Sequence, residues 1–312
     1  ADAAATLVKD INPTTVALGS NPSNIVDLNG VTFFTASDGS SGTELWRSDG
    51  TSTTLVKDIF PGNASSAPNS LVASGTTLFF SAGDPAFGTE LWKSDGTTAG
   101  TVLVKDLNPG TADSFPASLT VLNGVLYFSA FSIDTGYELW KSDGTEAGTV
   151  LVKDIEAGSN NAFPDRLSVF NNLLFFQAAT AAEGTELWMS DGTGAGTVMV
   201  KDINPAGSSS PSNFRVLGSL LFFTANDGTN GVELWRTDGT AVNTVMLSNI
   251  NPAGSSSPGS LTVFNSLLYF SANDGPNGID LWRTNGVIVA MVPNINPAAA
   301  SSSPSSLTAL GT

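Results

Sequence analysis

Apolar residues in this chain gather in short runs of unlike kinds, separated by turn-forming residues. Leu220-Leu221-Phe222-Phe223 is apolar without alternation, the pattern of a strand buried on both faces. In another stretch, Ser118-Leu119-Thr120-Val121-Leu122 ends in Asn123-Gly124 and leads into the apolar run Val125-Leu126-Tyr127-Phe128-Ser129-Ala130. Glu138-Leu139-Trp140-Lys141-Ser142 and Val150-Leu151-Val152-Lys153-Asp154-Ile155 follow. Asn-Gly and Asp-Gly supply the positive φ of tight hairpin turns, so these four runs predict four consecutive short strands. Pro/Gly/Ser-rich stretches such as 204–211 predict surface connections, and nothing reads as helix.

The four-strand pattern recurs six times. Trp46, Trp92, Trp140, Trp188, Trp235 and Trp282 follow one another at 46, 48, 48, 47 and 47 residues, each in a Glu/Asp-Leu-Trp triplet. Asp-Gly-Thr follows in five copies, and the sixth has decayed to Asn285-Gly286-Val287. Sheets buried on both faces and repeated at this period predict blades packed face to face, an all-β, six-bladed β-propeller. Phe34, Phe80, Phe128, Phe176, Phe223 and Phe270 recur as filling between blades. The prediction is one propeller domain over 1–312: a strand and loop in 1–24, six blades in 25–295, and a loop and strand in 296–312.

Register within the last hairpin follows from the spacing. Pairing Glu90 with Lys105 puts Trp92 opposite Leu103 and Ser94 opposite Thr101. Copies one and six are two residues shorter here, a change that keeps every side chain on its face. The same pairing predicts cross-strand ion pairs Glu44–Lys57, Glu90–Lys105, Glu138–Lys153 and Glu186–Lys201, each contributing ~0.2–1 kcal/mol. The Lys-Asp pairs on the fourth strands suit an exposed outer edge.

The Glu-Leu-Trp-x-x-Asp-Gly-Thr string resembles the bacterial ELWxxDGT repeat family over essentially the whole chain. The resemblance implies a secreted or cell-surface protein with a propeller-like fold, and it brings no reaction, substrate or catalytic residue.

Composition narrows the chemistry. Twenty-eight acids against 12 bases leave a net charge of −16, the wrong sign for nucleic acid or an anionic membrane surface. No apolar stretch reaches the ~20 residues of a membrane helix, so no membrane insertion is expected. The chain has no cysteine and no histidine, which removes thiol nucleophiles, imidazole bases and their metal sites. Ala1-Asp2-Ala3-Ala4-Ala5 looks like a mature terminus left by signal peptidase, in keeping with a secreted, extracellular bacterial protein. Calcium is the one candidate cofactor, at Asp38, Asp227 and Asp274 in the loops between second and third strands, although each loop offers one carboxylate. A sialidase-like site needs three converging arginines and a tyrosine nucleophile, and only Arg166 and Arg215 stand off the repeat. The expected role is therefore non-enzymatic.

Strand counting leaves a half blade over. Thr6–Ile11 reads as a fourth-type strand before any first strand, and Ser306–Leu310 as a first-type strand with nothing after it. Leu7, Val8, Lys9, Asp10, Ile11, Leu307, Ala309 and Leu310 are thereby candidate assembly residues. Three resolutions stand at this point. The Leu7–Ile11 strand closes the ring as a clasp, displacing Val289–Ile295; or the chain continues; or the spare strands complete a neighbouring subunit. The functional expectation is an interaction or structural module whose partners are other subunits, itself included, or cell-surface components. The alternative is a multivalent lectin-like adhesin that binds glycans, with the tryptophans as sugar platforms.

Overall fold

The computed structural model describes residues 7–12, 19–293 and 301–309. All its regular structure is β, in six four-stranded antiparallel sheets, each with its strands in chain order. Sheet 1 holds β1 (Ser23–Leu28), β2 (Val31–Ser37), β3 (Thr43–Ser48) and β4 (Thr53–Lys57). Sheet 2 holds β5 (Asn69–Ser74), β6 (Thr77–Asp84), β7 (Gly88–Ser94) and β8 (Val102–Lys105). Sheet 3 holds β9 (Ala117–Leu122), β10 (Val125–Ser132), β11 (Gly136–Ser142) and β12 (Val150–Lys153). Sheet 4 holds β13 (Asp165–Phe170), β14 (Leu173–Thr180), β15 (Gly184–Ser190) and β16 (Val198–Lys201). Sheet 5 holds β17 (Ser212–Leu217), β18 (Leu220–Asn226), β19 (Val232–Thr237) and β20 (Val245–Ser248). Sheet 6 holds β21 (Gly259–Phe264), β22 (Leu267–Asn273), β23 (Ile279–Thr284) and β24 (Val289–Met291).

The chain forms two compact units, Ala1–Asn161 and Ala162–Thr312, with three sheets apiece. In the first, Phe33, Leu45, Val56 and Ile59 of sheet 1 and its connection pack on Leu78, Phe80, Ala82 and Trp92 of sheet 2. Sheet 2 then offers Phe79, Leu91 and Val104 to Leu126, Phe128, Ala130 and Trp140 of sheet 3. The second unit repeats the joint, with Phe175 and Leu187 against Phe223 and Trp235, then Phe222 and Leu234 against Phe270 and Ala272. Adjacent phenylalanines in a second strand thus face opposite neighbours: the first forward, the second backward with the tryptophan. Each fully buried Phe or Leu contributes about 1.5–3 kcal/mol, so the repeated joint holds successive sheets together.

The Asp-Gly-Thr turn serves the same joint. The Asp95 carboxylate accepts from the Thr97 amide at 2.8 Å and its hydroxyl at 2.7 Å, closing the turn. A Cβ on Gly96 (φ +88°) would sit 3.0 Å from the Phe33 ring, so glycine lets the turn lie against the preceding sheet.

Register agrees with the spacing at the tryptophans and departs from it at the acids. Trp92 stands opposite Leu103, and Trp46 opposite Leu55 in the hairpin two residues shorter. Ser94 and Thr101 share a buried hydrogen bond of 2.7 Å. A bulge then shifts the pairing, so that Lys57, Lys105, Lys153 and Lys201 lie opposite Leu45, Leu91, Leu139 and Leu187 rather than opposite the glutamates. The predicted Glu–Lys ion pairs are therefore corrected: the inserted residue turns the two side chains away from each other.

The spare segments are corrected as well. Residues 7–12 and 301–309 belong to no strand, and Leu310 lies outside the described residues. β24 holds the fourth place of sheet 6, with Met291 opposite Trp282, so Val289–Met291 are not displaced by a clasp.

Candidate functional site: repeat contacts and the two terminal seats

The repeated acid is a buried clamp. Glu44, Glu90, Glu138, Glu186 and Glu233 are all fully buried. Glu44 accepts from the Ser66 amide at 2.8 Å, the Ser66 hydroxyl at 2.5 Å and the Ile59 amide at 3.1 Å. Glu186 and Glu233 hold Ser209 and Ser256 in the same way. Each acid thus ties the end of its own sheet to the connection that starts the next. Burial raises the carboxyls of Glu44, Glu186 and Glu233, and pushes Glu90 up to about 8.

The lysines reach forward instead of lining an exposed edge. Lys57, Lys105 and Lys201 donate to the carbonyls of Thr101, Thr149 and Thr244 in the next sheet, at 2.8, 2.9 and 2.8 Å. Lys57 also lies 5.5 Å from the Trp92 ring centre, a cation–π contact. Five tryptophans are at most 9 % exposed and Trp282 is half-buried, so the repeat presents no row of aromatic platforms.

The candidate calcium loops use their carboxylates locally. Asp38 accepts from the Ser40 and Ser41 amides at 2.8 and 2.7 Å, and from both hydroxyls. Partial burial works to raise this carboxyl, and the serine hydrogen bonds outweigh it and hold it below the usual range. Asp227 and Asp274 bond to Asn230 and Asn277 in the same manner. Among the described residues no three acidic side chains gather at one point.

The assembly candidates occupy two seats built from repeat contacts. Lys9 donates to the Thr53 carbonyl at 2.8 Å and lies 5.7 Å from Trp46, as Lys57 does one sheet later. Ile11 packs on Phe34, Ala36 and Trp46. Asp10 is exposed, as are Leu7 and Val8, at 82 and 55 %. At the other seat, Ser302 bonds to Asp280, and the Ser303 amide donates to the Ile279 carbonyl at 2.9 Å. Ser303 and Ser306 have φ of 46° and 51°, matching Ser257 and Ser260 at 46° and 53°. The Thr262 hydroxyl donates to the Leu307 carbonyl at 3.0 Å, and Ala309 is exposed. Residues 301–309 therefore sit where a following sheet would begin, and residues 9–12 where a preceding sheet would end.

Sheet 6 differs from its predecessors on the side of that seat. β6, β10 and β18 are buried through five consecutive residues, whereas burial alternates along β22. Tyr269 and Leu281 are half-buried, while Phe222 and Leu234 at the same positions in sheet 5 are fully buried. Between them and Leu307 lies a cavity of about 280 Å³, lined also by Thr262 and Phe264.

No family model and no curated protein matches the chain. Solved structures do. Prolyl oligopeptidase B from Galerina marginata is similar at a TM-score of 0.55 and 10 % identity, over 89 % of this chain and 44 % of that one. A puromycin-hydrolyzing peptidase of Mycobacterium tuberculosis is similar at 0.51 and 15 %, over 91 % and 46 %. The β-propeller domain of the trilobed protease from Pyrococcus furiosus gives 0.49 and 10 %, over 89 % and 86 %. The fold class is that of a β-propeller. The chain spans less than half the length of the two peptidases, and at these identities the likeness concerns the fold alone.

Proposed function

We propose that this chain is a non-enzymatic structural and interaction module of the bacterial exterior that joins end-on to a second copy of itself. The ELWxxDGT resemblance supports the extracellular setting, since it implies secreted or cell-surface proteins. The observation that carries the assembly reading is the half-covered Tyr269–Leu281 face of sheet 6. Its counterparts in sheets 1, 2, 4 and 5 each receive a Phe and Trp of the following sheet. The matching backward face is Phe34, Ala36 and Trp46 of sheet 1.

Two details favour this partner. Pro293 stands where sheet 6 would carry the forward-reaching lysine, and Lys9 of the incoming copy already fills that contact on Thr53. Ser303 and Ser306 also share the backbone conformation of Asn21 and Asn24, so residues 301–309 repeat the lead into a first strand. Such an end-on joint is heterologous and propagates as a filament unless it closes.

The test is sedimentation velocity over a concentration series, with electron microscopy, on the wild type and Tyr269→Arg. The expected result is concentration-dependent head-to-tail oligomers that Tyr269→Arg abolishes while its melting transition is retained. A wild type that stays monomeric at every concentration overturns the proposal.

A further inference from the structure

Ten of the 12 cations of this chain stand at repeat positions; Arg166 and Arg215 alone do not. Both line a single cavity of about 440 Å³ in the second unit, over the first strands β13, β17 and β21. Ser168, Asn213, Ser260 and Thr262 line it with them. Small-ligand sites span roughly 300–1,000 Å³ and combine such a hollow with a few placed polar groups.

Each arginine is a departure from what its place in the sheet uses elsewhere. Arg166 has φ +58°, at the position held by Asn24, Ser70, Ser118, Asn213 and Ser260, all likewise left-handed. A small polar side chain supports that conformation by local hydrogen bonding, and a long one does not. Arg215 stands where the other sheets place Val26, Val72, Thr120, Ser168 and Thr262, each opposite the first aromatic of its second strand. Its Nε donates to the Leu261 carbonyl at 2.9 Å, which fixes the guanidinium plane. Its two terminal amino groups have no protein partner among the described residues. The Asp165 carboxylate lies 3.6 Å from Arg166 with both side chains half exposed, a pair that solvent screens and an incoming anion can replace.

We propose that this groove binds a carboxylated saccharide. A planar guanidinium held by one edge offers the other as a fork for a carboxylate, and a second guanidinium in the same hollow adds charge where the chain as a whole is strongly acidic. The Ser168 and Ser260 hydroxyls make no hydrogen bond to protein among the described residues, so both can donate to and accept from sugar hydroxyls. An acidic peptide is the less suited ligand. It would add along a strand edge, and β13, β17 and β21 already lie side by side.

This inference rests on Arg166 and Arg215 of sheets 4 and 5, although Ser306 and Leu307 of the terminal seat line the same cavity. Its test is calorimetric titration with oligogalacturonate, a neutral oligosaccharide and polyglutamate at low and moderate salt. Arg166→Gln, Arg215→Gln and, as control, the exposed Arg283→Gln are compared with the wild type. Oligogalacturonate is expected to bind, to weaken with salt, and to lose at least about tenfold in affinity in either groove variant, at unchanged melting temperature. Arg283→Gln is expected to bind as the wild type does. Equal affinity in all variants, or equal binding of the neutral sugar, overturns the proposal. Polyglutamate binding as tightly as the sugar overturns it in favour of an acidic peptide.

Discussion

Replacing Glu90 by glutamine should change how stability depends on pH more than it changes stability at any one pH. Burial, with a smaller contribution from the charge of Asp106, pushes this carboxyl up to about 8 from an ordinary 4.5, against the hydrogen bonds from Ser114 and Leu107. The folded chain therefore keeps a proton that the unfolded chain releases near 4.5. The resulting stabilisation is fully present below that pH and is lost as pH rises through about 8. At about 1.4 kcal/mol per pH unit the window is worth on the order of 5 kcal/mol. Glu44, Glu186 and Glu233 act in the same direction. Asp49, Asp95, Asp143 and Asp238 act oppositely: hydrogen bonds lower them, and their contribution disappears only as pH falls below the ordinary 3.8. Wild-type stability should accordingly be greatest near pH 4–5 and fall toward pH 8–9. Guanidinium titrations at pH 5 and 8.5 measure this directly. Glu90→Gln cannot ionise, so the difference between variant and wild type should move in the variant's favour by several kcal/mol between those pH values. Parallel pH profiles for the two proteins would refute a protonated, buried Glu90.

Two further outcomes follow from the loops. Gly136→Ala should destabilise by about 2–4 kcal/mol, because φ is +70° and a Cβ there runs into the Asn160 carbonyl; chemical denaturation checks it against Gly124→Ala, where φ is positive but nothing lies near. Chelation by EDTA should leave the melting temperature unchanged, since Asp38, Asp227 and Asp274 are held by their own loops; a fall that calcium reverses would show that those carboxylates serve a metal.

The sheets were legible because their signals are local and six times repeated. Unalternating Leu-Leu-Phe-Phe runs, Asn-Gly and Asp-Gly turns and the tryptophan spacing give strands, hairpins and the Trp–Leu register. The role of the acids was not legible, because one extra residue in β8, Val104 between Leu103 and Lys105, moves Lys105 off Glu90, and a bulge leaves no mark in the spacing. A signal for the true partner does stand in the sequence. Ser66, Ser114, Ser209, Ser256 and Ser302 fall 22 to 24 residues after their acids, each two residues before a proline. Reading it requires knowing that a buried carboxylate seeks hydroxyl and amide donors as readily as a lysine. The spare segments were legible as repeat fragments in side-chain terms, through Lys9 and Ser302, but not as strands. A strand needs a paired neighbour, and neither residues 7–12 nor residues 301–309 has one.

Those placements redirect the search for function. The glutamates clamp connections, Lys57, Lys105 and Lys201 bridge sheets, and the turn aspartates accept from their own loops, so much of the repeat's charge already serves the scaffold. Both proposals therefore rest on places where a copy departs from the pattern, in the second unit. Pro293 replaces the bridging lysine, as Ser248 does one sheet earlier, and the proposed joint to a partner rests on the half-buried Tyr269. Arg166 and Arg215 put cations where other sheets use small or apolar residues, and they converge on one hollow. Arg166 and Arg215 are themselves exposed, and neither belongs to the cores that join sheets 4, 5 and 6. On the proposed readings, the regular positions carry stability and the irregular ones carry recognition.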